Sequence, residues 1–224
     1  MWQRRWLCLL LPLLLCFAIG LAPEEGRPAW NEQLTCPANH PIVIDPGHGG
    51  GDGGTAHGGA IEKDIVLDIG LRLRDELQKQ QIPVVMTRTK DVGFGPVRSD
   101  LAYRAFVANK CAASLFLSLH INANGKSDQR GFTVYYGAGR LSRDAAVLYD
   151  RAMRDAGLHW RREPPHQNKT FVVIYSTASP AVLLELGFLT NPGDRGNLQW
   201  APYRERIAHV LADATAKIYR GWIE

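Results

Sequence analysis

Short apolar runs alternate with stretches of helical period along nearly all of residues 41–219, and that alternation most restricts what the chain can fold into. "PIVIDPG" is an apolar run stopped by Pro-Gly, which reads as a buried strand entering a loop. From Glu62 to about Gln80, residues Ile65, Ile69, Leu73 and Leu77 recur at every fourth position among Arg72, Arg74, Asp75 and Glu76, the pattern of an amphipathic helix. "PVVMTR" predicts a second strand, Ser99 or Asp100 is placed to cap a helix running through Asn109, and "SLFLSLH" predicts a third strand ending on His120. "GFTVYYG", "FVVIY" and "AVLLELG" predict three more strands. Ser142 is placed to cap a helix to about Ala156, and a last helix is expected from Tyr203 to Tyr219. These elements predict an α/β fold: a mostly parallel twisted sheet of about six strands flanked by helices on both faces.

A chain of 224 residues, 46% hydrophobic and 21% charged, suits one domain with a proper core. Residues 1–22 carry Arg4 and Arg5 before an uncharged, mostly apolar run from Trp6 to Ala22, which reads as a secretory signal peptide or, competing with it, an uncleaved N-terminal membrane anchor. Residues 23–41, rich in Pro, Glu and Asn, read as a linker, and residues 42–224 as the folded domain. The expected location is exported, periplasmic or extracellular, with no membrane contact beyond that leader. Removing the leader takes two positive charges from a formal net charge of only +4, a balance that supports no nucleic-acid partner. A monomer is expected. Cys8 and Cys16 belong to the leader, which leaves Cys36 and Cys111. These stand at similar distances upstream of His48 and His120, so parallel neighbouring strands would bring them together, and in an oxidising compartment a Cys36–Cys111 disulfide is expected.

Functional groups of open α/β sheets gather beyond the carboxyl ends of the strands, and His48 and His120 both stand there. A lone histidine is more often structural than a ligand; two at the ends of two buried strands, one inside "IVIDPGHGGGDGG", point to a metal site. Glu62, opening the first helix after the glycine loop, is the best third ligand, with His57 in "GTAHGG" its rival. Glu185 is the only charge between Pro180 and Asp194 and sits among Leu183, Leu184, Leu186 and Phe188. A carboxylate there needs a partner or a purpose: a structural ion pair to an arginine, or a general base whose pKa burial raises. Gly49-x-Gly51-x-x-Gly54 has the spacing of a dinucleotide fingerprint, yet the helical period starts only after Gly59. Arg88 stands where a ribose-binding acid belongs, so the glycines are read instead as a close-folding loop and open shelf beside His48.

With these residues in view, the chain resembles the zinc-dependent N-acetylmuramoyl-L-alanine amidases that cleave bacterial cell wall. The matching pieces are "IVIDPGHGGGDGG", "EKDIVLDIG", "TRTKD", "YRAFVANK", "LFLSLHINA", "GFTVYY" and "SPAVLLELGFLTNP", in the family's order from about Ile42 to Ile218. The resemblance implies Zn2+ held by His48, Glu62 and His120, with Glu185 as the catalytic carboxylate. It implies peptidoglycan as substrate and, as the bond cut, the amide between the lactyl group of N-acetylmuramic acid and L-alanine. Some members carry a helical insertion between the second histidine and the catalytic Glu that blocks the site until an activator removes it. The stretch from His120 to Glu185 has little room for one, so no activator is expected to be required. No repeat module for wall binding is seen before Ile42 or after the last helix. "LHWRREPPHQNKT", Leu158 to Thr170, reads as a rim that meets peptidoglycan or as a solvated loop, and Asn168-Lys169-Thr170 matches a glycosylation acceptor. Two other functions are set against the amidase: a zinc peptidase cutting within the stem peptide, weakened by the lack of His-Glu-x-x-His, and a non-catalytic wall-binding protein, opposed by the presence of all four site residues.

Overall fold

The computed structural model describes residues 34–223, so the expected leader, and the linker up to residue 33, lie outside the described residues. In chain order the elements are β1 (Ile42–Pro46), β2 (Ala56–His57), β3 (Ala60–Ile61), α1 (Glu62–Lys79), β4 (Val84–Met86), α2 (Val97–Lys110) and β5 (Leu115–Asn122). They continue with β6 (Thr133–Tyr136), α3 (Arg140–Asp155), β7 (His166–Gln167), α4 (Val172–Tyr175), β8 (Ala181–Phe188), α5 (Pro192–Gln199) and α6 (Ala201–Ile223). The main sheet has six strands in the order β4-β1-β5-β8-β6-β7, and β2 and β3 form a separate hairpin. Within the main sheet only the β6–β8 pairing is antiparallel, so that sheet is mostly parallel, as the alternating pattern predicts.

The period of two along each strand divides this sheet into two unlike faces. Ile42, Ile44, Leu115, Leu117, Leu119, Val134, Val182 and Leu184 point into one apolar core with Ile65, Ile69 and Leu73 of α1, Tyr149 and Met153 of α3, and Leu211 and Ile218 of α6. Helices α1 and α3 both pack on α6 over that face. The alternate residues, Val43, Asp45, Phe116, Ser118, His120, Leu183, Glu185 and Thr133, belong to the other face, where α2 packs on β1 and α4 on β5 and β8. The polar side chains therefore collect on the more thinly covered face.

Several expected elements differ. "FVVIY" is no strand: Asn168 Oδ1 accepts from the N–H groups of Thr170 and Phe171 (2.8 and 2.7 Å), a local turn that starts the short helix α4, with Val173 and Ile174 inward. The sixth strand is β7 instead, a two-residue piece pairing with Tyr135 and Tyr136. Neither Ser99 nor Asp100 caps α2, which starts at Val97; Asp100 accepts from Phe94 N–H and pairs with Arg104. Ser142 lies inside α3 rather than at its cap, donating to Ala138 O and accepting from Ala181 N–H. Helix α5 was not expected, although its signal is present: Asn191 accepts from Gly193 and Asp194 N–H, and Pro192 opens the helix.

Cys36 and Cys111 are bonded, with Cα atoms 5.1 Å apart, where the pairing of Ile42 with Leu115 brings the starts of β1 and β5 side by side. Among the described residues no helix is long and apolar enough to cross a membrane.

Candidate metal centre

His48 stands two residues beyond the end of β1, His120 lies near the end of β5, and Glu62 is the first residue of α1. Because β1 and β5 are parallel neighbours, both histidines emerge at the same edge, and their rings meet edge to face with centroids 4.9 Å apart. Glu62 Oε1 lies 3.2 Å from His48 Nε2 and 3.0 Å from His120 Nδ1, and the potential ligand atoms of the three residues all lie within 4.8 Å of one another. Donors about 2.0–2.1 Å from a tetrahedral ion stand about 3.3 Å apart, so the Glu62 contacts to both histidines have the spacing of a metal-ligand set. His57 lies exposed in the β2–β3 hairpin, outside the cluster.

Glu62 is 3% exposed and is held on both oxygens. Ile121 N–H donates to Oε1 at 2.9 Å and Thr55 N–H to Oε2 at 2.8 Å. Burial alone would raise its pKa; the hydrogen bonds and charges of His120 and His48 outweigh burial and hold the carboxyl well below the usual range. Burial pulls His48 the other way, but Glu62 and Asp52 push the imidazole up to about 9. The field that draws a proton to His48 favours a cation among these atoms, so proton and metal compete.

The residues that support the cluster carry no functional signal of their own in the sequence. Asp52 Oδ2 sits 2.8 Å from His48 Nδ1, which leaves Nε2 turned toward Glu62. Arg104, 1% exposed, donates to the carboxylate of Asp45 and to the carbonyls of Pro46 and His48 (2.7, 2.8 and 2.7 Å). Asp45 also accepts from Thr87 and Ser118. Arg88 donates to the carbonyls of Pro46, Gly47 and Lys63, and Lys63 reaches Gly50 O and Asp91. Arg104, Arg88 and Lys63 each donate to backbone carbonyls around this loop, which is why no apolar pattern announces them. Two glycines are required here. A Cβ on Gly47 would come within 2.2 Å of the His120 ring, and one on Gly54, at φ +66, within 2.5 Å of Glu62 Oε2.

Glu185 lies on β8 directly opposite His120 on β5. The residue is half-buried, yet its Oε2 is sealed from solvent with no hydrogen-bond partner, and among the described residues no arginine pairs with it. The ion-pair reading of Glu185 therefore finds no support. Burial pushes its pKa up to about 7, with Glu62 adding to the rise and His120 and His48 opposing it. Beside the cluster, Gly49, Gly50, Gly51, Asp52, Gly93, Gly95, Pro96 and Val97 line an open cleft of about 720 Å³.

An open α/β sheet that gathers two imidazoles and a carboxylate at its strand ends, able to hold a metal ion, with a partnerless glutamate alongside, defines an α/β protein with a metal-type centre. The chain belongs to the N-acetylmuramoyl-L-alanine amidase family, whose profile matches residues 42–217. The N-acetylmuramoyl-L-alanine amidase LytC of Bacillus subtilis is 31% identical over 206 residues, which are 90% of this chain; the match spans only 40% of LytC's own length. A germination-specific N-acetylmuramoyl-L-alanine amidase of the same species is 26% identical over 228 residues, 98% of this chain and 93% of the relative. Among solved structures, the CwlD amidase of Clostridioides difficile, in complex with the GerS lipoprotein, shares the fold with a TM-score of 0.77 at 24% identity, over 82% of this chain and 100% of that one.

Proposed function

We propose that this chain hydrolyses the amide between the lactyl group of N-acetylmuramic acid and L-alanine in peptidoglycan, with zinc at His48, Glu62 and His120 and Glu185 as the proton carrier. One observation carries the reading: the only carboxylate of β8, free of any basic partner, stands in register beside the His120 member of the metal-type cluster. Zinc bound there supplies Lewis acidity to the scissile carbonyl and the attacking water. Glu185 takes the proton from that water and delivers it to the departing alanine nitrogen. A carboxyl pushed up to about 7 serves both steps near neutral pH, being basic enough to accept and acidic enough to give. Asp52 holds His48 so that Nε2 would be free to bind the ion, and Arg104 and Arg88 fix the backbone that carries it. The glycine-floored cleft leaves room for a glycan strand.

Helix α3, the long helix between His120 and Glu185, packs with α6 on the opposite face of the sheet and does not cover the cluster. We therefore propose a site open without an activator, in a chain that acts at the cell envelope. The test is turnover of purified peptidoglycan by the purified chain alone. Soluble peptides are expected, lost with a chelator and regained with zinc. A folded, zinc-loaded chain that releases nothing would overturn the reading, and activity seen only after adding an envelope protein would overturn the open site.

A further inference from the structure

Among the described residues, two buried side-chain polar atoms lack a hydrogen-bond partner: Glu185 Oε2 and Thr133 Oγ1. They are not scattered. The antiparallel register of β6 on β8 sets Thr133 directly opposite Glu185, just as the parallel register of β5 on β8 sets His120 opposite it on the other side. His120, Glu185 and Thr133 thus form one row across three adjacent strands. Directly opposed residues carry Cβ atoms about 5 Å apart on one face, a separation that side-chain torsions bridge with both strands fixed. Thr133 is 1% exposed, so its hydroxyl cannot turn to bulk water. An unpaired buried hydroxyl is a standing cost to the fold, and valine would fill the same space without it. The two orphans are complementary: an ionised carboxylate only accepts, and a hydroxyl donates.

We infer that Thr133 is a positioning residue for Glu185, its hydroxyl donating to Oε2 and fixing the carboxylate's orientation beside His120. The inference rests on the reading of Glu185 as proton carrier. Thr133 acts through the Glu185 carboxylate and not on the substrate, so its loss should lower kcat and leave KM alone.

The test compares Thr133→Val and Thr133→Ser with the unaltered chain. Val, which keeps the shape and removes the donor, is expected to lower kcat about tenfold, the effect of losing one hydrogen bond to a charged group. KM and thermal stability should hold, and Ser should restore kcat. A packing role predicts the reverse order, Val active and Ser destabilised, so a Val variant with unaltered kcat would overturn the inference. A second readout needs no turnover: the Thr133 hydroxyl proton, followed by NMR, should exchange slowly and shift on Glu185→Ala. If the unaltered chain cuts no peptidoglycan, the functional reading fails by itself, and this resonance still decides the positioning: its absence, or its indifference to Glu185→Ala, overturns it.

Discussion

Exchanging Glu185 for Gln keeps the side chain's shape and removes its ability to carry a proton. Turnover should fall about 10²–10⁴-fold while zinc content stays unchanged, checked by metal analysis beside the rate assay. Asp52→Ala makes the opposite demand. It frees His48 Nδ1 and should weaken zinc binding about 10–100-fold, read by competition with a chromogenic chelator. The two variants separate a proton carrier from a ligand support. At this scale the sequence was most legible where chemistry contradicts surroundings, as with a lone charge among leucines at Glu185 or imidazoles at strand ends. It was least legible for Arg104, because its hold on the His48 loop depends on α2 packing against β1, and no local period carries that.

At the scale of elements, the β1–loop–α1 segment is braced by the buried Asp45–Arg104 pair, whose atoms lie 2.7 Å apart. Burial alone would raise the Asp45 carboxyl, but Arg104, Thr87 and Ser118 hold it below its ordinary value of 3.8. A depressed folded-state pKa gives stability that is present above the unfolded value and lost as pH falls below 3.8 toward the folded one. Asp45→Asn should therefore cost about 3 kcal/mol at neutral pH, by leaving Arg104 with one buried partner fewer, and should flatten the acid limb of the stability curve. Denaturant titrations from pH 7 down through 3.8 to about pH 2 check both. Long periodic elements such as α1 and the strands β1, β5 and β8 were readable. The error at "FVVIY" arose because a run this short fits a strand or one helical turn equally well, and Asn168 decides between them through a turn. The caps assigned to Ser142 and Asp100 failed for different reasons: Ser142 is taken by the distant Ala181 N–H, whereas α2 starts at Val97, ahead of Asp100, which pairs with Arg104 one turn along the same helix.

For the whole molecule, the Cys36–Cys111 bond, with a sequence separation of 75, ties together the starts of the neighbouring strands β1 and β5. Reducing it should cost up to about 4 kcal/mol and lower Tm on the order of 10 °C, measured by thermal unfolding with and without reductant. Metal binding should survive that loss below the new Tm, since the ligands sit at the other end of the strands. The division of the sheet into an apolar face under α1, α3 and α6 and a polar face bearing the cluster was implicit in the alternation along each strand, but only strand order shows that the polar sets coincide. The most direct measurement of the central claim is the identity of the new amino end in peptides released from intact peptidoglycan by the purified chain. L-alanine at every new terminus, with the glycan left bearing free lactyl carboxyls, is the predicted result. New termini within the stem peptide would contradict it.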